Sequence, residues 1–309
     1  MSPSPYLVGL VGQGVGPSLT PALHMAEGRA NGLDYVYRAI DLNAVGLAPD
    51  RIGEILTWAR TLGFNALNIT HPCKQLVIPH LDALDDDAAA LGAVNTVVFE
   101  PHAGAQPSGE GHCDRTVGYN TDAPGFGRGF VEGLPGAVTT NVVLLGAGGA
   151  GAAVGHALLD LGAEHLTVVD LDVDRAVVLA EELAARHRDA RVDASAFDKL
   201  SILLPHSDGV VHCTPTGMAD HPGMPFDAAL LHPGLWVADI VYRPLDTALL
   251  TAARRAGCRT LDGGYMAVHQ ASIAFELITG ITPDTGRMSR HFRTLAEQSA
   301  MQTPLQRGM

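Results

Sequence analysis

The sequence has little cysteine, little lysine and no excess of positive charge. The four cysteines lie far apart and form no CxxC pair, which argues against a disulfide framework or a zinc knuckle and favours reduced thiols. Acidic residues outnumber basic ones, 33 to 20, for a net charge of −13. This balance argues against nucleic acid or an anionic membrane surface as the main partner, although one local basic patch could still bind a small anion.

Long hydrophobic runs are also missing. No segment reaches the roughly 20 apolar residues that a membrane-spanning helix needs, and the first residues lack the basic region of a signal peptide. We therefore expect a cytoplasmic protein. With 309 residues, 47% of them hydrophobic, the chain is long enough for one or two globular domains.

Strand-like and helix-like segments alternate along most of the chain. The stretches 6–12, 141–145 and 165–170 have the short apolar character of buried strands. Segments with helical periodicity separate them, which predicts an α/β fold with largely parallel sheets. Residues 91–122 are the exception, because they resemble a hairpin around an exposed, mobile loop at 101–114 that is rich in Gly, Pro and Ser.

A glycine-rich turn, Gly146-Ala147-Gly148-Gly149-Ala150-Gly151, follows the strand at 141–145. The G-x-G-x-x-G spacing permits a tight turn and close backbone approach to a pyrophosphate, with a helix amino terminus facing the phosphates. The alternative is a Gly/Ala-rich helix start without a ligand. Asp170 ends the next strand 19 residues after Gly151, where an acid binds the adenosine ribose and repels a 2′-phosphate. The pattern favours NAD over NADP, although Arg175 could reach the adenosine side.

Lysine occurs only twice, at Lys74 and Lys199. Lys74 follows a buried-looking strand through the turn "THPC". A dehydrogenase needs a group that carries the hydroxyl proton, and lysine can exchange a proton where arginine cannot. We expect Lys74 to fill this role beside the carboxylate of Asp122. The alternative is a solvated lysine on a turn.

The chain resembles the shikimate dehydrogenase family over about residues 6 to 295. The matching stretches, in chain order, are "SLTPALH", "NITHPCKQ", "GAVNTV", "YNTD", "GAGGAG", "TPTGM", "DIVY" and "DGGYMAVHQA". Thr20, His71 and Asp170 make it most similar to the NAD-dependent quinate/shikimate dehydrogenase branch. Cys73 and His212 depart from the family, which usually has an aromatic residue and an asparagine there.

The resemblance implies a role for each matching residue. Lys74 would be the acid/base with Asp122 beside it, and Ser18 and Thr20 would hold the substrate carboxylate. The ring hydroxyls would be held by Thr70, Asn95, Asp122, Tyr242 and Gln270. The cofactor would be bound by Gly146 to Gly151, Asp170, Arg175, Thr214, Ile240 and Gly263.

The resemblance also implies two domains with a cleft between them. An α/β substrate domain would span 1–121 and be completed by helices within 263–309, and a Rossmann-type, doubly wound domain would span 122–262. We expect a monomeric or homodimeric enzyme, without a metal, that interconverts quinate or shikimate with the 3-dehydro ketone using NAD. The rivals are an NADP-dependent biosynthetic shikimate dehydrogenase and a non-catalytic protein that senses a dinucleotide.

Overall fold

A computed structural model describes residues 5–101 and 113–302. Within them the chain divides into two compact units. The first contains the described residues up to Thr121 together with Ala271–His291, and the second contains Asp122–Gln270 and the described residues from Phe292 onward. Most of the loop predicted at 101–114 lies outside the described residues. No helix in the described part of the chain is long and apolar enough to cross a membrane.

The first unit begins with alternating strands and helices. Its elements are β1 Tyr6–Gly12, α1 Thr20–Ala30, β2 Tyr35–Asp41, α2 Leu42–Val45, α3 Ile52–Thr61, β3 Ala66–Ile69, α4 Cys73–Leu76, β4 Ala83–Leu84, α5 Asp86–Leu91, β5 Thr96–Pro101 and β6 Cys113–Tyr119. Asp85 caps α5 by accepting a hydrogen bond from the Ala88 amide.

The six strands of this unit form one mixed sheet in the order β2-β1-β3-β5-β6-β4. β1 pairs in parallel with both β2 and β3, while β5 runs antiparallel to β3 and β6. The predicted hairpin is therefore confirmed as β5 and β6. Because β1 and β3 are parallel neighbours, the loops that follow them leave the sheet at the same edge.

The second unit holds the glycine-rich turn. Its elements are α6 Asp122–Gly133, β7 Asn141–Leu145, α7 Gly149–Asp160, β8 His165–Asp170, α8 Val173–Arg186, β9 Arg191–Ala196, α9 Leu200–Leu203, β10 Gly209–His212, β11 Trp236–Asp239, α10 Ala248–Arg255 and β12 Arg259–Leu261, followed by α11 Gly263–Thr279 and α12 Thr285–Gln302. α11 and α12 each contribute residues to both units.

The sheet of the second unit is parallel throughout and has the order β12-β11-β10-β7-β8-β9. This is the doubly wound order in which the strand sequence reverses between β7 and β10, and ligands bind such sheets at the carboxyl ends of the strands there. The predicted Rossmann-type sheet is confirmed. Its central strands are buried, as expected for a parallel sheet covered by helices on both faces.

The last helices supply part of the first unit's core. Phe275 from α11 is fully buried and stacks on Tyr35 of β2, with ring centroids 5.5 Å apart. Arg287 from α12 donates two hydrogen bonds to the carboxylate of Glu27, which is buried on α1. This unit is therefore built from the two ends of the described chain.

Candidate active site

Several of the predicted substrate residues lie at one edge of the first unit's sheet. The Thr70 amide donates to the Val11 carbonyl (2.9 Å), and the Gln13 amide donates to the His71 carbonyl (3.1 Å). These bonds join the loop after β1 to the turn after β3. Gly12 is needed at this crossing, because a Cβ there would overlap the methyl group of Thr70.

Ser18 and Thr20 lie at the start of α1, on the same loop. The Thr20 amide donates to the Ser18 hydroxyl oxygen at 3.3 Å, and both side chains are partly exposed. Leu19, the residue before the first helical turn, makes no side-chain cap. The start of α1 therefore presents two hydroxyl groups where backbone amides lack helical acceptors, an arrangement suited to a carboxylate.

Lys74 lies in α4 rather than on a turn, and it is partly buried. Its carbonyl accepts the amide of Val94 at 2.8 Å, and the carbonyl of Asn95 accepts the amide of Ile69 at 2.7 Å. The backbone thus places α4 beside the segment that carries Asn95. The structure brings Ser18, Thr20, Thr70, Lys74 and Asn95 to neighbouring loops of one unit.

Asn95 is buried and its side-chain amide is held on both sides. Its Nδ2 donates to the Thr121 hydroxyl (2.9 Å), while its Oδ1 accepts the Thr121 amide (2.9 Å) and the Thr96 hydroxyl (3.0 Å). Thr96 in turn accepts from Asn68, which accepts from the Tyr37 hydroxyl. Sequence reasoning missed this chain of buried polar groups, although an asparagine within the apolar strand "ALNI" was a signal for it.

The glycine-rich turn of the second unit has the geometry that its spacing predicts. Gly146 has a positive φ of 107°, and a Cβ at Gly151 would overlap the carbonyl of Gly146. Gly148 precedes α7 and provides no side-chain cap. The amides of the first turn of α7 therefore face outward without helical acceptors, which suits a pyrophosphate.

Asp170 and Arg175 both contact this turn. Asp170 accepts the Ala147 amide through Oδ2 (2.7 Å) and the Asp172 amide through Oδ1 (3.0 Å). Arg175 approaches the Ala147 carbonyl from α8, with its Nη2 at 3.5 Å. A carboxylate and a guanidinium therefore lie at the same loop. The carboxylate favours a ribose with a free 2′-hydroxyl, and the guanidinium favours a ribose with a 2′-phosphate.

Thr214, Ile240 and Gly263 follow β10, β11 and β12 in turn, at the carboxyl edge of the second unit's sheet. A Cβ on Gly146 would lie 3.0 Å from the Thr214 methyl group. The Ile240 amide donates to the His212 carbonyl (3.1 Å), and Gly263 lies so close to the Ile240 carbonyl that a Cβ would overlap it. The structure thus places Thr214 against the glycine-rich turn, and Ile240 and Gly263 against each other at the same edge of the sheet.

Asp122 and Gln270 lie on the helix pair formed by α6 and α11. Asp122 is buried at the start of α6, and Gly125, one turn later, touches the backbone of Gln270. Gln270 donates from Nε2 to the Ala267 carbonyl at 3.0 Å. The sequence spacing Gly125-x₃-Gly129-x₃-Gly133 is a signal for this close helix packing.

Tyr242 lies after β11 and packs against Phe292 of α12, with centroids 5.9 Å apart. Burial raises the pKa of its phenol above the usual value, so the hydroxyl stays protonated and can donate a hydrogen bond. Tyr242, Asp122 and Gln270 belong to the second unit, whereas Lys74 belongs to the first. The pairing of Lys74 with Asp122 therefore stays a prediction.

Metal-binding residues do not cluster in residues 5–101 and 113–302. No group of three or more His, Cys, Asp or Glu side chains there is arranged to hold an ion.

Known proteins resemble the chain over nearly its whole length. Residues 10–97 match the family model described as the shikimate dehydrogenase substrate binding domain. The chain is 56% identical to a shikimate dehydrogenase (NADP(+)) from Streptomyces avermitilis, over 97% of this chain and 99% of the relative. It is 47% identical to a quinate/shikimate dehydrogenase (NAD(+)) from Corynebacterium efficiens, over 96% of this chain and 100% of the relative.

A solved structure of a known protein has the same fold as this chain. Quinate dehydrogenase from Corynebacterium glutamicum, in complex with NAD, superposes with a TM-score of 0.86 at 46% identity. The match covers 94% of this chain and 99% of that one. The two-sheet α/β architecture described above is therefore shared with a dehydrogenase of known structure.

Proposed function

Because the chain belongs to the shikimate dehydrogenase family, it is an oxidoreductase that acts on a CH–OH group, and we propose that it uses NAD to interconvert quinate or shikimate with the 3-dehydro ketone. The observation that carries the cofactor assignment is the position of Asp170. Its carboxylate accepts an amide of the glycine-rich turn (2.7 Å) at the end of β8, where a ribose hydroxyl could donate to it and a 2′-phosphate would be repelled.

A second candidate function, with NADP as cofactor, has its own support. Arg175 lies at the same turn and could offset the charge of a phosphate. The relative with 56% identity is named for NADP, and the relative with 47% identity is named for NAD. The cofactor preference therefore depends on whether Asp170 repels a 2′-phosphate more strongly than Arg175 attracts it.

The residues present fit a bound dinucleotide. Gly146 and Gly151 let the turn pack tightly on its own backbone, the surface beside Gly148 and Gly149 is open, and the start of α7 offers amides to phosphates. Such a cofactor supplies the hydride acceptor or donor, and the protein supplies binding, orientation and proton transfer. Thr214, Ile240 and Gly263 are proposed to line the nicotinamide side.

Each substrate residue has a proposed task that suits its chemistry. The Ser18 and Thr20 hydroxyls bind the carboxylate, while Thr70, Asn95, Tyr242 and Gln270 bind ring hydroxyls. Lys74 takes the proton from the reacting hydroxyl during oxidation and returns it during reduction. Asp122 acts with Lys74 and also accepts from a substrate hydroxyl. The tight hold on Asn95 fixes its orientation before substrate binds.

The test is the catalytic efficiency of the purified protein with quinate and shikimate, each with NAD and NADP, followed at 340 nm. We expect NAD to exceed NADP by about 100-fold or more, equivalent to ~2.7 kcal/mol. Asp170→Ser should lower activity with NAD while activity with NADP rises or holds. Asp172→Asn is the matched control, because it removes a charge from the loop between β8 and α8 but keeps a cap for α8.

Two outcomes would contradict the proposal. Equal use of both cofactors, or a preference for NADP, would mean that Arg175 dominates, and Arg175→Ala should then abolish NADP activity selectively. No turnover with either substrate, combined with intact dinucleotide binding, would favour the non-catalytic sensor.

A further inference from the structure

A buried side-chain relay lies behind Thr214 and has no place in the mechanism above. His212 and Asp239 have no exposed side-chain surface. His212 Nδ1 lies 3.0 Å from Asp239 Oδ1, and His212 Nε2 lies 2.5 Å from the Thr214 hydroxyl. Two polar groups buried at the ends of β10 and β11 are costly unless they are satisfied, so their arrangement needs an explanation.

Asp239 is fully satisfied within the second unit. Its Oδ1 also accepts the Val241 amide (3.1 Å), and its Oδ2 accepts the Thr247 hydroxyl (2.7 Å). Three donors to one carboxylate fix its orientation, and His212 Nδ1 must carry a hydrogen to face it. The imidazole plane is therefore held from behind, which aims Nε2 at Thr214.

Thr214 is the point where this relay reaches the cofactor residues. Besides its bond with His212 Nε2, the hydroxyl makes one other hydrogen bond among the described contacts, a long one that it accepts from the Thr216 amide at 3.3 Å. The Thr214 methyl group faces Gly146 of the glycine-rich turn. The rotamer of Thr214, and with it the face that the residue shows to the turn, depends on which group holds its hydroxyl.

We propose that Asp239 and His212 are positioning residues that lock the Thr214 side chain for dinucleotide binding. The proposal rests on the proposed function, because it assumes that Thr214 contacts the cofactor. Asp239 fixes the imidazole, the imidazole fixes the threonine hydroxyl, and the threonine presents one fixed surface beside Gly146. The binding site is then ordered before the cofactor arrives, so less conformational entropy is lost on binding.

Two substitutions of His212 test its hydrogen bonds to Asp239 and to Thr214 separately. In His212→Asn the side-chain amide reaches the position of Nδ1, so the bond to Asp239 is kept and the bond to Thr214 is lost. In His212→Gln the longer side chain reaches the position of Nε2, so Thr214 keeps a partner and Asp239 loses one. Thr214→Val removes the hydroxyl while keeping the shape of the side chain.

The measurement is NADH affinity, from fluorescence titration of each purified variant, beside its melting temperature. We expect His212→Asn and Thr214→Val each to weaken NADH binding by about tenfold, the effect of one hydrogen bond. The double variant should also lose about tenfold, because both changes break the same link. His212→Gln should bind NADH with an affinity between those of the wild type and His212→Asn, because Thr214 keeps a partner that Asp239 no longer fixes, and it should melt at a lower temperature.

Ser207→Ala is the matched control, because the Ser207 hydroxyl donates to the Leu203 carbonyl (2.9 Å) within the same unit and makes no contact with the relay. It should lower the melting temperature and leave NADH affinity within about twofold. If the relay served only to stabilise the fold, every variant would melt at a lower temperature and none would bind NADH more weakly.

The outcomes distinguish this inference from the function on which it rests. Wild-type protein that binds neither NADH nor NADPH would overturn both. Wild-type protein that binds NADH, with His212→Asn binding equally well or with a double variant losing about 100-fold, would overturn the relay alone.

Discussion

Lys74 is the residue on which the proposed chemistry depends most. Lys74→Ala should lower kcat by about two to four powers of ten, the usual contribution of a positioned acid/base. Lys74→Arg should restore little, because a guanidinium keeps its proton. Steady-state kinetics with the preferred cofactor give the measurement.

The other lysine is a built-in control for this prediction. Lys199 is exposed and lies 3.5 Å from Asp198 at the surface, so Lys199→Ala should leave kcat unchanged. Near-normal turnover in Lys74→Arg would mean that charge alone matters at position 74, and the acid/base role would be wrong.

Glu27 is a buried residue whose ionisation makes stability depend on pH. Burial alone would raise its pKa, but hydrogen bonds from Arg287, the Asp284 amide and Asn31 hold the pKa below its usual value. A carboxylate with a lowered pKa stabilises the fold above its unfolded pKa, about 4.3. This stability is lost as the pH falls through the folded value.

Glu27→Gln should therefore lower the free energy of unfolding by about 1–3 kcal/mol at pH 7 and flatten its dependence on pH below about 5. The lower part of that range allows for the partly exposed Arg287, whose charge water screens. Chemical denaturation between pH 3 and 8 gives both quantities. Glu54→Gln, which breaks a surface pair with Arg51, should change almost nothing. Equal effects of the two substitutions would contradict the argument.

At the scale of elements, the contact between α6 and α11 sets the position of Gln270. A Cβ on Gly125 would lie 2.7 Å from the Gln270 backbone nitrogen, and backbone cannot move aside as a flexible side chain can. Gly125→Ala should cost about 1–3 kcal/mol of stability through overpacking. It should also raise the Michaelis constant of the substrate, because Gln270 is a proposed ligand.

Gly127 lies on the same helix and provides the comparison. A Cβ there would meet nothing within 4 Å, so Gly127→Ala should stabilise α6 by up to ~1 kcal/mol through helix propensity. Thermal melts measure the stability of both variants, and steady-state kinetics measure their Michaelis constants. If Gly125→Ala were as stable as Gly127→Ala, the helices would not be in such close contact.

At the scale of the whole molecule, the first unit needs residues from the end of the chain. A chain that stops at Asp262 would lack Phe275, which stacks on Tyr35, and Arg287, which pairs with the buried Glu27. Leaving a buried charge unpaired costs about 3–5 kcal/mol, and the missing aromatic ring leaves a cavity. We expect the truncated chain to lose the fold of the first unit.

Limited proteolysis and binding of a hydrophobic dye measure this loss. Cleavage should concentrate in residues 5–121, and dye binding should rise. Phe275→Ala in the full chain should show a weaker form of the same change. A truncated chain that resists cleavage as well as the full protein would contradict the prediction.

Local patterns in the sequence determined many of this protein's structural elements. The glycine spacing, the following acid at Asp170 and the alternation of strands and helices predicted the sheet with the dinucleotide turn, because these features depend on neighbours within about 30 residues. The hairpin of β5 and β6 was predicted for the same reason. The family motifs also marked the candidate residues of both units.

The tertiary structure alone decided how distant residues meet. His212 and Asp239 are 27 positions apart, as are Asn68 and Asn95, and Glu27 and Arg287 are 260 apart. A single sequence shows such residues only as polar side chains in apolar surroundings. Whether each is satisfied, and by which partner, depends on strand order and on the return of the last helices to the first unit. A buried polar group cannot hydrogen-bond to bulk water and therefore needs a partner within the protein. These contacts exist only once the chain has folded.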